Sequence, residues 1–314
     1  MSISPFVLGI DGGGTKTVAW LAPRAEGQIL GRGHAGPGNP RAAGFDVALA
    51  NIDAAIAAAF ADANLPRAEV AAACFGLAGA GRATEQQQIE AWATSRGIAQ
   101  RVKVTGDAEP ILAAASPDNV GVVLICGTGS LAWGRNAAGE TARCGGWGYL
   151  LGDEGSGYAI ALAGLRAAMR AADGRGPATD LLAGLMSVLK ATSPEELVSR
   201  VYGPEMNRER LAGLASVVFE YRSTDGTAQQ IIAEAARGLA ELVATVAKQL
   251  HLNLPPKDFT LALAGGTLLH QLNYRERFLA ALPSGGANSW ATSRVIVVEE
   301  PVQGAVALAR SLCA

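Results

Sequence analysis

The four cysteines of this 314-residue chain, Cys74, Cys126, Cys144 and Cys313, form no CxxC pair and no Cys/His cluster. Reduced thiols in a cytoplasmic protein are therefore expected. Basic blocks are also missing: 26 Lys and Arg stand against 28 Asp and Glu, for a net charge of −2. That balance argues against nucleic acid as a partner. Although 49% of the residues are hydrophobic, no uninterrupted apolar run is long enough to cross a membrane. The excess is mostly alanine in helical stretches such as 47–63. The first five residues, Met1-Ser2-Ile3-Ser4-Pro5, carry no basic region and lead into a strand, so no signal peptide is expected. No low-complexity segment stands out.

A chain of this length suits two lobes better than one core. Apolar periodicity predicts strands over 6–10, 17–22 and 28–31, a helix over 45–64, a strand over 70–77, a helix over 83–96 and a strand over 102–105. A helix then starts near Asp107. Ser116-Pro117-Asp118-Asn119 breaks the pattern and places a lobe boundary near 118. The meander restarts over 120–126, 130–136 and 140–144. Helices follow over about 155–172, 178–189, 193–202, 207–221 and 227–250, then strands over 259–263 and 295–298 and a closing helix over 302–312. The loops Gly36-Pro37-Gly38-Asn39-Pro40 and Pro283-Ser284-Gly285-Gly286 read as surface punctuation.

Two glycine-rich turns carry the chemistry. Asp11-Gly12-Gly13-Gly14-Thr15-Lys16-Thr17 and Cys126-Gly127-Thr128-Gly129-Ser130 each follow an apolar run and precede a strand containing a Trp, Trp20 or Trp133. Their offset is 115 at both ends (126 − 11 and 130 − 15), as if one hairpin were used twice. Glycine lets backbone N–H groups approach anionic oxygens, so the pair can grip a polyphosphate. Neither is a Walker A loop: Thr15 separates Gly14 from Lys16, and a strand follows instead of a helix. The Rossmann spacing fails as well. The first copy carries Asp11 where the second has Cys126, and one acid suffices for one Mg²⁺. A third corner, Ala264-Gly265-Gly266-Thr267, joins a strand to a helix and gives a flat base room to lie against the backbone.

These three corners in this order resemble the actin, sugar-kinase and Hsp70 superfamily. The run Arg143-Cys144-Gly145-Gly146-Trp147-Gly148-Tyr149-Leu150-Leu151-Gly152-Asp153-Glu154-Gly155-Ser156-Gly157 is similar to the signature of the BadF/BadG/BcrA/BcrD ATPase group, and within it of the N-acetylglucosamine kinases. The resemblance implies an α/β, two-lobed actin-like (ribonuclease H-like) ATPase fold with a duplicated core and an interlobe cleft. It assigns residues 1–118 to the first lobe, completed by helix 302–314, and residues 119–301 to the second. It further implies ATP with Mg²⁺, phosphorylation of the 6-hydroxyl of N-acetylglucosamine or else of glucosamine, and a homodimer.

By the same resemblance Asp107 is the catalytic base. ATP falls to Gly13, Gly14, Thr15, Lys16, Thr128, Gly129, Gly265 and Gly266, and Asp11 holds Mg²⁺ through water. The sugar falls to Asn39, Gly145, Gly146, Trp147 and Asp153. Each residue also has a plainer reading. Asp107 suits a helix N-cap, Asn39 a turn, Trp147 a core position, Asp153 the acidic start of a helix, and Lys16 solvent. Ala78 stands where some N-acetylglucosamine kinases are expected to place a serine near the sugar, which leaves the amino sugar open. An iron–sulfur activase would need cysteines at a dimer interface. A sugar-sensing repressor would need a helix-turn-helix ahead of the first strand, which begins near Phe6. A sensor without DNA contacts would need an inert Asp107.

Overall fold

The computed structural model describes residues 4–252, 260–283 and 294–313. Phe259, expected to open a strand, and Ser284, Gly285 and Gly286 of an expected turn lie outside them. The described chain divides into two compact units, one of residues up to Val120 together with those from Val298 on, the other spanning Gly121–Val297.

The first unit is built on β1 (Phe6–Gly12), β2 (Thr17–Pro23), β3 (Gly31–Ala35), α1 (Pro40–Ala43), α2 (Phe45–Asp62), β4 (Val70–Leu77), α3 (Ala83–Ser95), β5 (Ala99–Thr105) and α4 (Ala108–Ala115). The C-terminal helix Val302–Ser311 completes it. Its sheet runs β3-β2-β1-β4-β5. The β1–β2 and β2–β3 pairs are antiparallel, while β1–β4 and β4–β5 are parallel. Alternation along β1 sends Leu8 and Ile10 to one face, against Ile52, Ile56 and Phe60 of α2 and Ile89 of α3. Val7 goes to the other face, against Val302, Val306 and Ala309 of the C-terminal helix. Truncating a fully buried side chain such as Ile52 to alanine in such a sandwich costs about 2–5 kcal/mol.

The third strand lies three residues beyond its expected start. Gly31, the end of the expected strand, opens β3 instead, and both it and Gly33 lie where α2 packs directly upon the strand. A Cβ on Gly33 would run into the carbonyl of Ala55, and one on Gly31 into that of Ala59. The 36–40 loop is not mere punctuation either. The N–H groups of Gly38 and Asn39 both donate to the Gly13 carbonyl at 3.0 Å, strapping the loop under the first glycine turn.

The second unit contains β6 (Gly121–Cys126), β7 (Ser130–Arg135), β8 (Thr141–Gly145), α5 (Gly157–Ala172), α6 (Leu181–Leu189), α7 (Pro194–Val201), α8 (Arg208–Gly213), α9 (Ala215–Glu220) and a 3₁₀ turn (Tyr221–Ser223). It continues with α10 (Gly226–Gln249), β9 (Thr260–Ala264), α11 (Gly266–His270), α12 (Leu272–Ala281) and β10 (Val295–Val297). Its strand order is β10-β9-β6-β7-β8, which read from the other edge repeats the first unit's order. The senses repeat too, with β6–β7 and β7–β8 antiparallel and β6–β9 and β9–β10 parallel. The duplication inferred from two turns thus extends to two five-stranded sheets. The single helix expected over 207–221 is broken at Leu214, after Gly213, whose backbone freedom disfavours a helix interior. The expected helix after Gly265 ends at His270, and α12 follows it.

Candidate active site

In the first unit, β1, β4 and β5 are parallel, so their C-terminal ends share one edge of the sheet. The register aligns Asp11 with Gly76, and Gly76 with Thr105. Asp107 follows two residues later, at the start of α4. Its backbone is already helical and its side chain makes no capping hydrogen bond, so the cap does not explain its carboxylate. Asp11 is partly buried. Desolvation pushes its carboxyl up to about 7; the charge of Asp107 adds to the rise, and Lys16 opposes it.

Asp11, raised by burial and by the charge of Asp107, is a hard oxygen donor whose charge a divalent cation would relieve. Among the described residues no cluster of three or more His, Cys, Asp or Glu could hold a metal alone. A cation here would therefore draw on phosphate oxygens and water, which suits Mg²⁺.

Gly14, Thr15 and Lys16 form the exposed tip of the first turn. Asn39 stands beside it through the Gly13 carbonyl, and its own Oδ1 caps α1 by accepting from Arg41 and Ala42 N–H groups at 2.9 and 3.3 Å. Ala78 N–H donates to the Gly12 carbonyl at 2.9 Å, bringing the 78–81 loop to the same corner. Glu109, in the first turn of α4, receives Lys103 Nζ and Thr105 Oγ1, each at 2.7 Å, and ties β5 to the helix that presents Asp107.

The second unit repeats the hairpin with a shorter tip. Gly12 pairs with Thr17 across four intervening residues, but Cys126 pairs with Ser130 across three. The hydroxyl matching Ser130 is therefore that of Thr17, not Thr15. Each begins its second strand and donates inward, Thr17 Oγ1 to the Gly36 carbonyl at 2.8 Å and Ser130 Oγ to the Glu154 carbonyl at 2.7 Å. By the same pairing Cys126 matches Gly12 and Ile125 matches Asp11; the buried Cys126 thiol donates to the Gly155 carbonyl, and burial pushes its pKa far up. It is a neutral packing group.

The Gly127 carbonyl accepts from Gly157 N–H at 2.8 Å and from Thr267 Oγ1 at 3.1 Å. One atom thus ties the second turn to the start of α5 and to the Gly265-Gly266-Thr267 corner. Asp153, buried and held at a φ of 64°, turns its carboxylate to this turn. Oδ1 accepts from Ser130 N–H at 3.2 Å, and Oδ2 pairs with Arg208 Nη2 at 2.7 Å. Both oxygens are thereby engaged at the second turn. Sequence spacing gave no signal for Arg208, which lies 55 residues from its partner.

Gly145 pairs with Leu131, next to Ser130, so the Gly145-Gly146-Trp147 turn leaves the sheet at the end that carries the second turn. Trp147 is 71% exposed, which rules out a core role. The Arg143 guanidinium lies 5.6 Å from its ring centre and donates to the Gly145 and Gly146 carbonyls, bracing the ring.

A family model for the BadF/BadG/BcrA/BcrD ATPase family matches residues 8–309. An N-acetylmuramic acid/N-acetylglucosamine kinase of Clostridium acetobutylicum is 33% identical over 98% of this chain and 99% of its own. An N-acetyl-D-glucosamine kinase of Dictyostelium discoideum is 35% identical over 83% of this chain and 85% of its own. Among solved structures, a Chromobacterium violaceum protein provisionally assigned as an N-acetylglucosamine kinase has the same fold. Its TM-score is 0.75 at 24% identity, with 97% of this chain and 99% of that chain covered. Repeated sheets, paired glycine turns and the signature segment that scaffolds the second turn therefore have one source: the chain belongs to the BadF/BadG/BcrA/BcrD ATPase family.

Proposed function

We propose that this protein is an ATP-dependent amino-sugar kinase that converts N-acetylglucosamine and ATP to N-acetylglucosamine 6-phosphate and ADP. The observation that carries this reading is the Asp107–Asp11 pair at the C-terminal edge of three parallel strands, in a chain whose curated relatives are named as kinases of such sugars. In the proposed reaction the sugar hydroxyl oxygen attacks the γ-phosphorus and its proton passes to the Asp107 carboxylate. The bond from the γ-phosphorus to the bridging oxygen breaks, releasing ADP. A positioned base of this kind is worth about 10²–10⁴-fold in rate.

Backbone N–H groups of the two glycine turns, with Thr15 and Thr128, are assigned to the phosphates, and Gly265 and Gly266 to the adenosine. Asp11 is assigned to Mg²⁺, which when bound supplies charge neutralisation of the phosphates. Asn39 and the Gly145-Gly146-Trp147 turn are assigned to the sugar, whereas the engaged carboxylate of Asp153 supports the second turn instead. A homodimer and a cytoplasmic location belong to the same proposal and rest on the resemblance; light scattering checks the former.

The test is ADP release measured with N-acetylglucosamine, glucosamine, N-acetylmannosamine, glucose and N-acetylmuramic acid. Preference for N-acetylglucosamine is expected. Preference for glucosamine would replace the sugar, and activity with none of the five would leave only an ATPase.

A further inference from the structure

We infer that Arg208 is a catalytic residue of the second turn, placing its guanidinium on phosphate oxygens of the bound nucleotide. Arg208 opens α8, and its Nη2 lies 2.7 Å from Asp153 Oδ2. The same nitrogen lies 2.7 Å from the point that a Cβ on Gly129 would occupy, so the guanidinium abuts the turn backbone. Glycine at 129 is what permits that approach. The carbon centre of the guanidinium sits 5.4 Å from the centre of the Tyr149 ring, which fixes its plane.

The two partners differ in exposure. The Asp153 side chain is 4% exposed and that of Arg208 42% exposed. One edge of the fork is thus anchored below the turn, and its remaining N–H groups have no partner among the described residues. Asp153 is held at a positive φ to make this anchor, and such strain in a non-glycine residue concentrates at functional sites.

Phosphoryl transfer spreads negative charge over the migrating group and the leaving oxygen, and catalysis depends on cations already in position there. The backbone of Gly127-Thr128-Gly129 supplies dipoles but no full charge. Arg208 is a pre-set fork beside them, matched in shape to two phosphate oxygens. This inference rests on the reading of that turn as a nucleotide-phosphate site. A plainer role, neutralising the buried Asp153, makes a different prediction.

The experiment is a cycle of Arg208→Gln in the native and Asp153→Asn backgrounds, with the affinities of AMP, ADP and ATP measured by calorimetry alongside sugar-dependent turnover. Arg208→Gln is expected to weaken ATP and ADP about tenfold or more in both backgrounds, to leave AMP within about twofold, and to lower kcat by about 10²-fold. The Asp153→Asn background also leaves no buried carboxylate to unfold the Gln variant. Loss confined to the native background would assign Arg208 to Asp153 alone and overturn the inference, as would equal loss for AMP and ATP. Failure of the native protein to phosphorylate any sugar would remove the kinase reading, while the AMP-to-ATP comparison would still decide the role of Arg208.

Discussion

Tyr274 donates its hydroxyl to the carbonyl of Gly155 at 2.6 Å, reaching from α12 to the signature segment 119 residues earlier. Both the phenol and the carbonyl are buried, and the Cys126 thiol donates to the same oxygen at 3.3 Å. Tyr274→Phe removes the stronger donor and leaves the weaker one. Stability is expected to fall by about 1 kcal/mol, or roughly 2–4 °C in Tm, with kcat nearly unchanged. Calorimetry and turnover on the same sample check this; a large fall in kcat at unchanged Tm would give Tyr274 a direct role.

Asp107→Asn keeps size and polarity but cannot take a proton. A fall in kcat of about 10²–10⁴-fold is expected, with the sugar KM held within a few-fold. Near-native turnover would refute the base assignment.

The folded value of about 7 for Asp11 lies above its ordinary 3.8. Between those two values the folded protein holds a proton that the unfolded chain has released, so this group makes the ligand-free protein less stable as pH rises through the window. Above about 7 its contribution is flat. The Tm of the native protein minus that of Asp11→Asn is expected to decline from pH 4.5 to 7.5, and Mg²⁺-dependent nucleotide affinity to weaken below pH 7. A difference that stays level across the window would contradict the shift.

Trp147→Ala removes an exposed ring, so stability is expected to stay within about 0.5 kcal/mol. The sugar KM is expected to rise about tenfold with the ATP KM unchanged. A drop in Tm without a change in the sugar KM would make Trp147 a structural residue.

Much of this fold is legible because the local signals agree with tertiary packing. The alanine-rich periodicity of α2 and the apolar run Val70–Leu77 mark a helix and a buried strand in the positions found. Sequence reading fails where a distant element decides. The expected strand 28–31 is displaced to Gly31–Ala35, where α2 is laid on Gly31 and Gly33, and α8 and α9 look like one helix until the backbone cost of Gly213 is weighed. The same holds for the site. Turn chemistry points to Asp11 and the glycines, and only the resemblance to Asp107, but the ion pair that turns Asp153 toward the second turn joins two segments unrelated by any periodicity.

The C-terminal helix Val302–Ser311 packs on β1 and α4, and Gly304 admits the Pro110 carbonyl so closely that no side chain fits. The N-terminal unit therefore waits for the end of the chain. During synthesis β1 to β5 emerge first but keep an apolar face bare until some two hundred further residues have been made. The second unit, continuous in sequence, is free to fold before the first is finished. A nick or deletion near residue 300 would then act on a half of the molecule whose strands were laid down at the very beginning.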